Sequence, residues 1–411
     1  MSKRNRVVVT GMGVLAPNGT GLEAFWKSLI EGSSGIGLIT LFDATRFKSR
    51  IAGEVKGFDP LDYMAADWKP KRMARHTQLA YAATQMALND AHWDPRSEDP
   101  ATVLPVCIGV STSAMDILER GFNELTERGP GGVNPGVVRN CQPQAVTQLI
   151  AERLGVATDA RTTSSACPSG IDAIASAFAQ IRSGNADIAV AGGSDSHVTP
   201  LAMASFTSAG LSSMANLDPA HASRPYDATS ESGVISEGAG VLILENLEHA
   251  IARGAEPYLE ITGCAAQMDY PNAPFSGLES AMLLALANAG CTPEQIDYIC
   301  SYGPGHPALD AAEVQMIRLV FGRDADRVPV SSIKGVTGNP LAAAGPFQLI
   351  ACALAFKHNL IPPTTNHDFP REGCDLDFVP GKARRARLSR ALINVRGLGA
   401  GNSSMVVDRV R

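Results

Sequence analysis

The sequence predicts a layered α/β fold built from two similar halves. Short apolar runs, typical of buried strands, alternate along the 411 residues with longer segments in which apolar side chains recur at helical spacing. The pattern also begins again in the middle of the chain, because YLEITGCAA from Tyr258 is similar to RVVVTGMGV from Arg6. We therefore expect one half over residues 1–255 and a second half over residues 256–411.

Both halves contain strands and helices in alternation. In the first half, strands are predicted over residues 6–10, 103–109, 186–193 and 240–245, with a short buried strand just before Cys167. Helices are predicted there over residues 22–31 and 79–90, directly after Cys167, and in a short segment ending near Gly254, with a loop over residues 129–136. In the second half, strands are predicted over residues 298–301, 391–395 and 403–407, and helices over residues 280–289, 309–321 and 342–356.

The segment GMGVLA, residues 11–16, resembles the dinucleotide-binding fingerprint GxGxxA. That fingerprint should begin a helix, but Pro17, Asn18 and Gly19 interrupt the chain at once. A plain turn from strand to loop is therefore favoured, and a nicotinamide-dependent oxidoreductase remains a distant alternative.

Cys167 lies where a strand meets a helix. The preceding segment is rich in Thr and Ser, and apolar residues from Ile171 to Ile181 follow at helical spacing. Pro168 fits the first helical turn, which needs no donor at that position. Unpaired N–H groups and the helix dipole at such a position favour a thiolate, which suits the making and breaking of thioesters. The alternative is a buried structural cysteine.

Three loops rich in glycine or proline follow predicted strands in the second half. They cover residues 301–310 with His306, residues 331–345 with Lys334 and Asn339, and residues 396–402. Each loop alone is explained by glycine at positive φ, and His306 alone by a surface position. Because ligands bind at strand ends in open α/β sheets, the three loops together with Cys167 predict one site.

Composition excludes several classes of protein. A net charge of −6 and a pI near 5.8 argue against a nucleic-acid partner. The eight cysteines are scattered without a CxxC pair, so neither a disulfide framework nor a metal site is expected. The amino terminus lacks a signal-peptide pattern, and no segment is expected to span a membrane. We therefore expect a cytoplasmic protein with no membrane partner.

Several well-separated motifs together identify a family resemblance. They are RVVVTGMGVLAPNG, SSACPSG, ADIAVAGGSDS, SRPYD, SEGAGVLILE, GHPALDAAE, SIKGVTGNPLAAAG and GLGAGN. On these motifs the chain resembles the elongating β-ketoacyl-acyl carrier protein synthases from about Arg6 to Val407. The resemblance implies the thiolase fold, an α/β fold of five layers (α-β-α-β-α) and two similar halves, in a dimer. It also implies acyl thioesters delivered on the phosphopantetheine arm of an acyl carrier protein, with no cofactor held by the chain itself.

The resemblance assigns roles to residues that match the family. Cys167 corresponds to the acyl-accepting nucleophile, and the backbone N–H groups of Cys167 and Leu398 to the oxyanion hole. Lys334 corresponds to an active-site lysine, and Glu313 to a nearby carboxylate. Leu398 and Arg396 stand where the family has phenylalanines at the tunnel gate.

The carrier-protein docking patch is only partly present. Lys71 and Arg72 resemble part of the basic patch on which the family docks its carrier protein. Met214 replaces another basic residue of that patch.

Other site positions depart from the family. Two histidines that hold the malonyl thioester carbonyl during decarboxylation are replaced by Tyr302 and Asn339, two threonines by Pro304 and His306, and a carboxylate by Gln348. Removing one donor from a developing oxyanion typically lowers the rate by about 10²–10³. The related initiating synthases have Asn at the second position, so Asn339 is chemically acceptable. His306 is the alternative source of the missing imidazole, although a shift of four residues usually directs a side chain elsewhere.

Three functions remain open from the sequence. The favoured one is a chain-length-factor-like partner that forms a heterodimer with an active ketosynthase, because both histidines are absent. The observation against this function is that the chain retains Cys167, because such partners usually have glutamine in place of the cysteine. The second is a self-sufficient β-ketoacyl synthase or acyltransferase that uses Cys167 with His306, Asn339 and Lys334. The third is a non-catalytic homodimer that binds acyl chains.

Overall fold

In the computed structural model, which describes residues 4–99, 101–112 and 114–410, eleven strands form one mixed sheet. Including four strands outside this sheet, the strands of the described residues are, in chain order, β1 (Val7–Ala16), β2 (Gly19–Thr20), β3 (Ile36–Leu38), β4 (Ile51–Gly53), β5 (Leu104–Gly109), β6 (Thr158–Thr163), β7 (Ile188–Asp195), β8 (Gly238–Asn246), β9 (Leu259–Met268), β10 (Tyr298–Cys300), β11 (Val330–Ser331), β12 (Leu360–Ile361), β13 (Arg384–Arg385), β14 (Arg390–Arg396) and β15 (Gly401–Asp408). Two small hairpins, β3–β4 and β12–β13, lie outside the sheet, and β2 pairs with β1 at its margin.

The helices alternate with the strands along the chain. They are α1 (Leu22–Glu31), α2 (Arg75–Asp90), α3 (Met115–Arg128), α4 (Val137–Asn140), α5 (Ala145–Leu154), α6 (Ser169–Arg182), α7 (Pro200–Ser208), α8 (Leu247–Ala252), α9 (Ser276–Ala289), α10 (Pro307–Phe321), α11 (Lys334–Thr337) and α12 (Ala344–His358). Among them α1 has the predicted bounds, whereas α2 and α9 each begin four residues before the predicted start.

The sheet consists of two halves with the same strand order. The first half runs β1-β8-β7-β5-β6 and the second runs β9-β15-β14-β10-β11. In both, the first three strands are antiparallel neighbours and the last three are parallel. The halves meet where Val7–Val9 of β1 pairs with residues 259–261 of β9. The prediction of two similar halves is therefore confirmed.

Helices complete the five layers of the thiolase fold. Helices α2 and α5 cover the outer face of the first half, and α9 and α10 cover that of the second. Between the halves, α6 and α12 pack against each other and against both sets of strands. The segment Leu341–His358, which includes α12, is long and apolar enough to cross a membrane by length and composition, contrary to expectation. Because 89% of this segment is buried inside the protein, it is the core helix of the middle layer.

The glycines of β1 have a different role from the predicted turn. The strand continues through Gly11 and Gly13 to Ala16, and all ten of its residues are buried. A Cβ at Gly13 would overlap the carbonyl oxygen of Ala83, and one at Gly11 that of Ala87, both in α2. These glycines allow a helix to lie directly on the strand. The predicted strand-to-loop turn is therefore wrong, and no helix begins at the motif as nucleotide binding would require.

Strand β6, just before Cys167, is also different from the prediction. It was expected to be buried, but it forms one edge of the sheet, and β5 is its one neighbour in the part of the chain that the structure describes. Ala160 and Arg161 are exposed, and the other four residues are half-buried. The polar sequence TDARTT agrees with this position, because an edge strand has one open side.

Candidate active site

Cys167 stands at the turn between β6 and α6, as predicted. The turn is tight, with Ala166 at a φ of 62°, and Pro168 is the N-cap of α6. Glycines allow the helix to approach its neighbours closely, since a Cβ at Gly109 would overlap the backbone of Ser169. The side chain of Cys167 is only 3% exposed. The residues around Cys167 therefore place its thiol in a buried position at the amino-terminal end of α6.

Burial controls the protonation of Cys167. It raises the pKa of the thiol, and this effect outweighs the opposing hydrogen bond from Tyr302, the charge of Lys334 and the backbone N–H of Leu398. The sequence led us to expect a thiolate, stabilised by the helix dipole. That expectation is wrong for this closed arrangement, because removing the thiol from water weakens the charged form more than its neighbours favour it.

The side chain of Tyr302 is in contact with the sulfur of Cys167. Its hydroxyl donates to the Sγ of Cys167 at 3.6 Å, and burial holds the pKa of this hydroxyl well above its usual value. The Nζ of Lys334 donates to the carbonyl oxygen of Tyr302 at 2.6 Å and lies 4.5 Å from the centroid of its ring. Burial lowers the pKa of Lys334 to about 8. Lys334 therefore contacts the backbone and the ring of Tyr302, and it makes no direct hydrogen bond to the sulfur of Cys167.

Glu313 anchors the loop that begins at Tyr302. Its carboxylate accepts from the backbone N–H of Tyr302 at 2.9 Å and of Gly303 at 2.8 Å. It also accepts from the hydroxyl of Tyr226 at 2.8 Å. Glu313 is 2% exposed. One buried carboxylate thus sets the position of the backbone from which the Tyr302 side chain projects.

Asn339 and His306 reach the same cavity as Cys167 and Tyr302. In the described part of the chain, neither Asn339 Oδ1 nor His306 Nδ1 has a hydrogen-bond partner. His306 is half-buried, which lowers the pKa of its imidazole. No imidazole among the described residues hydrogen bonds to the sulfur of Cys167. The site therefore contains polar groups with unused hydrogen-bonding capacity around an unreacted thiol.

The cavity beside Cys167 is very small. Its volume is about 30 Å³, and its walls include Tyr302, His306, Asn339 and Leu398. A cavity of this size is far below the roughly 300–1,000 Å³ of a site that encloses a small molecule. An acyl chain therefore enters only after the wall moves.

Four other predicted residues lie outside the cavity wall. Arg396 forms an ion pair with Asp269. Lys71 and Arg72 are exposed in a short turn over Pro70–Arg72. Gln348 is buried, and its Nε2 donates to three backbone carbonyl oxygens.

Three buried residues near the site had no predicted role. Tyr226, inside the SRPYD motif, is fully buried and stacks on Phe378 with ring centroids 4.0 Å apart. Asp195 accepts from the backbone N–H of Ala342, and burial raises its pKa to about 6. Asp269 gives no local sequence signal, because its side-chain partners, Arg396 and Asn402, are more than 120 residues away.

Comparisons with known proteins find similarity to β-ketoacyl synthases along the chain. Two family models match: "Beta-ketoacyl synthase, N-terminal domain" over residues 4–250 and "Beta-ketoacyl synthase, C-terminal domain" over residues 258–368. The chain is 39% identical over 420 aligned residues to 3-oxoacyl-[acyl-carrier-protein] synthase 2 of Vibrio harveyi, covering 100% of both proteins.

Solved structures show the same fold. The ishigamide ketosynthase/chain length factor matches with a TM-score of 0.91 and 32% identity, over 99% of this chain and 100% of that one. A type II PKS acyl-carrier protein in complex with its ketosynthase bound to the hexaketide matches with a TM-score of 0.90 and 29% identity, over 99% and 100% of the two chains.

Proposed function

The chain belongs to the β-ketoacyl synthase family, and we propose that it is a chain-length-factor-like subunit. In this proposal it is the partner of an active ketosynthase in cytoplasmic type II polyketide or fatty-acid synthesis and acts on acyl thioesters bound to a carrier protein. One observation supports this most directly. The side chain that hydrogen bonds to the sulfur of Cys167 is that of Tyr302, whose hydroxyl lies 3.6 Å away, and no imidazole does so among the described residues.

The chemistry of decarboxylation explains why that observation matters. Loss of CO₂ from a malonyl thioester leaves an enolate, whose oxygen needs donors already oriented toward it. The Tyr302 hydroxyl is directed at the sulfur, and its raised pKa makes it a weak proton donor. Asn339 supplies only a neutral amide. This pair is therefore expected to stabilise the enolate poorly, and the chain alone to condense slowly.

Two open surfaces suit a partner of the same fold. Among the described strands, β6 pairs with β5 only, so one row of its backbone N–H and C=O groups is open to a partner strand. Helix α3 exposes Leu118, Phe122 and Leu125, which share one face at i, i+4 and i+7, and Phe122 is 67% exposed. A ketosynthase with the same edge strand would extend the sheet and cover this apolar face.

Phe122→Asp is therefore expected to weaken binding to a ketosynthase that retains both histidines by at least about 30-fold. The reason is that a charge would replace an aromatic anchor in the buried centre of the interface. Co-expression followed by affinity capture and size-exclusion chromatography measures this. The matched control is Leu319→Asp in α10, because Leu319 is 63% exposed on the opposite outer layer. Unchanged association of Phe122→Asp, or equal loss in both variants, would contradict an interface at α3.

The carrier protein is proposed to dock near Lys71 and Arg72. Both side chains are exposed, and the guanidinium of Arg120 lies beside them, donating to the carbonyl oxygen of Lys71 at 2.9 Å. A basic patch of this kind is complementary to an acidic surface on a carrier protein. The phosphopantetheine arm would then reach Cys167 as part of the substrate.

Acyl transfer by Cys167 is the second candidate function. It is favoured by the position of Leu398, which lines the cavity beside Cys167 and whose backbone N–H lowers the pKa of the thiol, so that a donor is available for an oxyanion there. Transfer without loss of CO₂ needs this donor but not the two histidines. The closed cavity gives no comparable support to a non-catalytic acyl-binding homodimer.

Cys167→Ala separates the two candidates. If Cys167 has no part in the reaction, the variant paired with an active ketosynthase keeps the product yield of the wild-type pair, measured by chromatography of released product. Acyl transfer through Cys167 instead predicts a fall of about 10³-fold or more, because the nucleophile is lost.

A further inference from the structure

A tight hairpin closes the site above Cys167. It joins β14 to β15, with Arg396 opposite Asn402 at its base and the N–H of Gly397 donating to the carbonyl oxygen of Gly401 at 2.8 Å. At the tip, Leu398 is 51% exposed and also lines the cavity beside Cys167, where its backbone N–H lowers the pKa of the thiol. The position of the hairpin therefore decides both access to the thiol and the placement of the oxyanion donor.

Asp269, just after β9, holds the base of this hairpin. Its Oδ2 accepts from Arg396 Nη2 at 2.6 Å, and its Oδ1 accepts from Arg396 Nη1 at 3.0 Å and from Asn402 Nδ2 at 2.9 Å. Its backbone N–H donates to the carbonyl oxygen of Ala400 at 3.0 Å. Asp269 thus contacts both strands of the hairpin.

The same carboxylate fixes the segment that follows it. It accepts from the backbone N–H of Phe275 at 2.9 Å and of Gly277 at 3.1 Å. The guanidinium of Arg396 also lies 4.4 Å from the centroid of the Phe275 ring. Opening the hairpin therefore requires a contact to break between two loops that are far apart in sequence.

The ion pair is well protected from water. The side chains of Arg396 and Asp269 are 11% and 7% exposed. A bidentate guanidinium–carboxylate pair with this burial is among the stronger polar contacts in a protein, and leaving either charge unpaired is strongly unfavourable. By contrast, the tip residues 397–400 have no charged side chain that could form such a pair.

We propose that the ion pair between Arg396 and Asp269 locks this hairpin over Cys167, so that a reagent or an acyl thioester reaches the thiol only when the pair opens. Arg396 is then a positioning residue, since it acts through the hairpin and does not touch the sulfur. The inference concerns the isolated chain and holds whether or not the chain condenses acyl groups by itself.

Alkylation of the intact chain by iodoacetamide tests the lock. The rate is followed at the peptide that contains Cys167 by mass spectrometry, at one fixed pH. In Arg396→Met we expect this rate to rise on the order of 10- to 100-fold, because two charge-assisted hydrogen bonds to the hairpin are lost. Arg396→Lys keeps the positive charge but loses the bidentate geometry, and it should give an intermediate rate.

Arg390→Met is the matched control. Arg390 forms the same kind of ion pair, with Asp408, at the far end of the same two strands. Its loss should leave the rate at Cys167 within about twofold of wild type. An unchanged rate in Arg396→Met, or an equal rise in Arg390→Met, would overturn the proposal. If Arg396→Met does not fold, Asp269→Asn tests the same contact from the other side, with the same expected rise and the same contradicting result.

Discussion

Tyr302→His combined with Asn339→His is expected to raise the release of CO₂ from malonyl-carrier protein by about 10²-fold or more. Both side chains line the cavity that contains Cys167, so two imidazoles there would face the thioester oxygen as it becomes an enolate. One such donor typically changes the rate by about 10²–10³, and two that act together do not simply multiply. The measurement is the rate of CO₂ release by the purified double variant.

Tyr302→Phe with Asn339→His is the matched control for this gain. It removes the hydroxyl from the sulfur of Cys167 but places no imidazole at position 302. Its rate should stay well below that of the double-histidine variant. An equal gain in the control would mean that an imidazole at position 302 is not needed for the reaction. No gain in a folded double-histidine variant would contradict the claim that missing imidazoles limit the reaction.

Glu313→Ala is expected to lower the free energy of unfolding by about 3–5 kcal/mol. The carboxylate accepts from the backbone N–H groups of Tyr302 and Gly303 and from the hydroxyl of Tyr226, all of them buried. Each buried donor left without an acceptor costs about 1–3 kcal/mol. Urea unfolding followed by circular dichroism gives the difference.

The control for Glu313→Ala lies on the same helix. Gln315 is exposed in α10, so Gln315→Ala changes helix composition but no buried contact, and it should alter stability by less than about 0.5 kcal/mol. A loss below about 1 kcal/mol for Glu313→Ala would show that the loop beginning at Tyr302 does not depend on this carboxylate.

Much of the fold followed from local patterns. Apolar spacing located α1 and the pair β14–β15, and the similarity between the segments beginning at Arg6 and Tyr258 indicated the repeated half. The position of Cys167 between a strand and a helix was also readable, because the strand pattern changes there to helical spacing within a few residues.

Features that depend on distant contacts could not be predicted. Gly11 and Gly13 were interpreted as a turn, since only the packing of α2 on β1 reveals why glycine is needed. The raised pKa of the Cys167 thiol arises from burial that no local pattern records. The contact between Asp269 and Arg396 joins residues separated by 127 positions, and either charge alone is typical of a solvated surface.

The most direct test of the account combines intact mass with CO₂ release for the purified chain given acyl- and malonyl-carrier protein, alone and with a co-expressed ketosynthase. For the chain alone we expect neither an acyl adduct on Cys167 nor CO₂ above background, with activity appearing once the ketosynthase is present. An adduct on Cys167 together with rapid CO₂ release by the chain alone would contradict the partner role and make the protein a self-sufficient condensing enzyme.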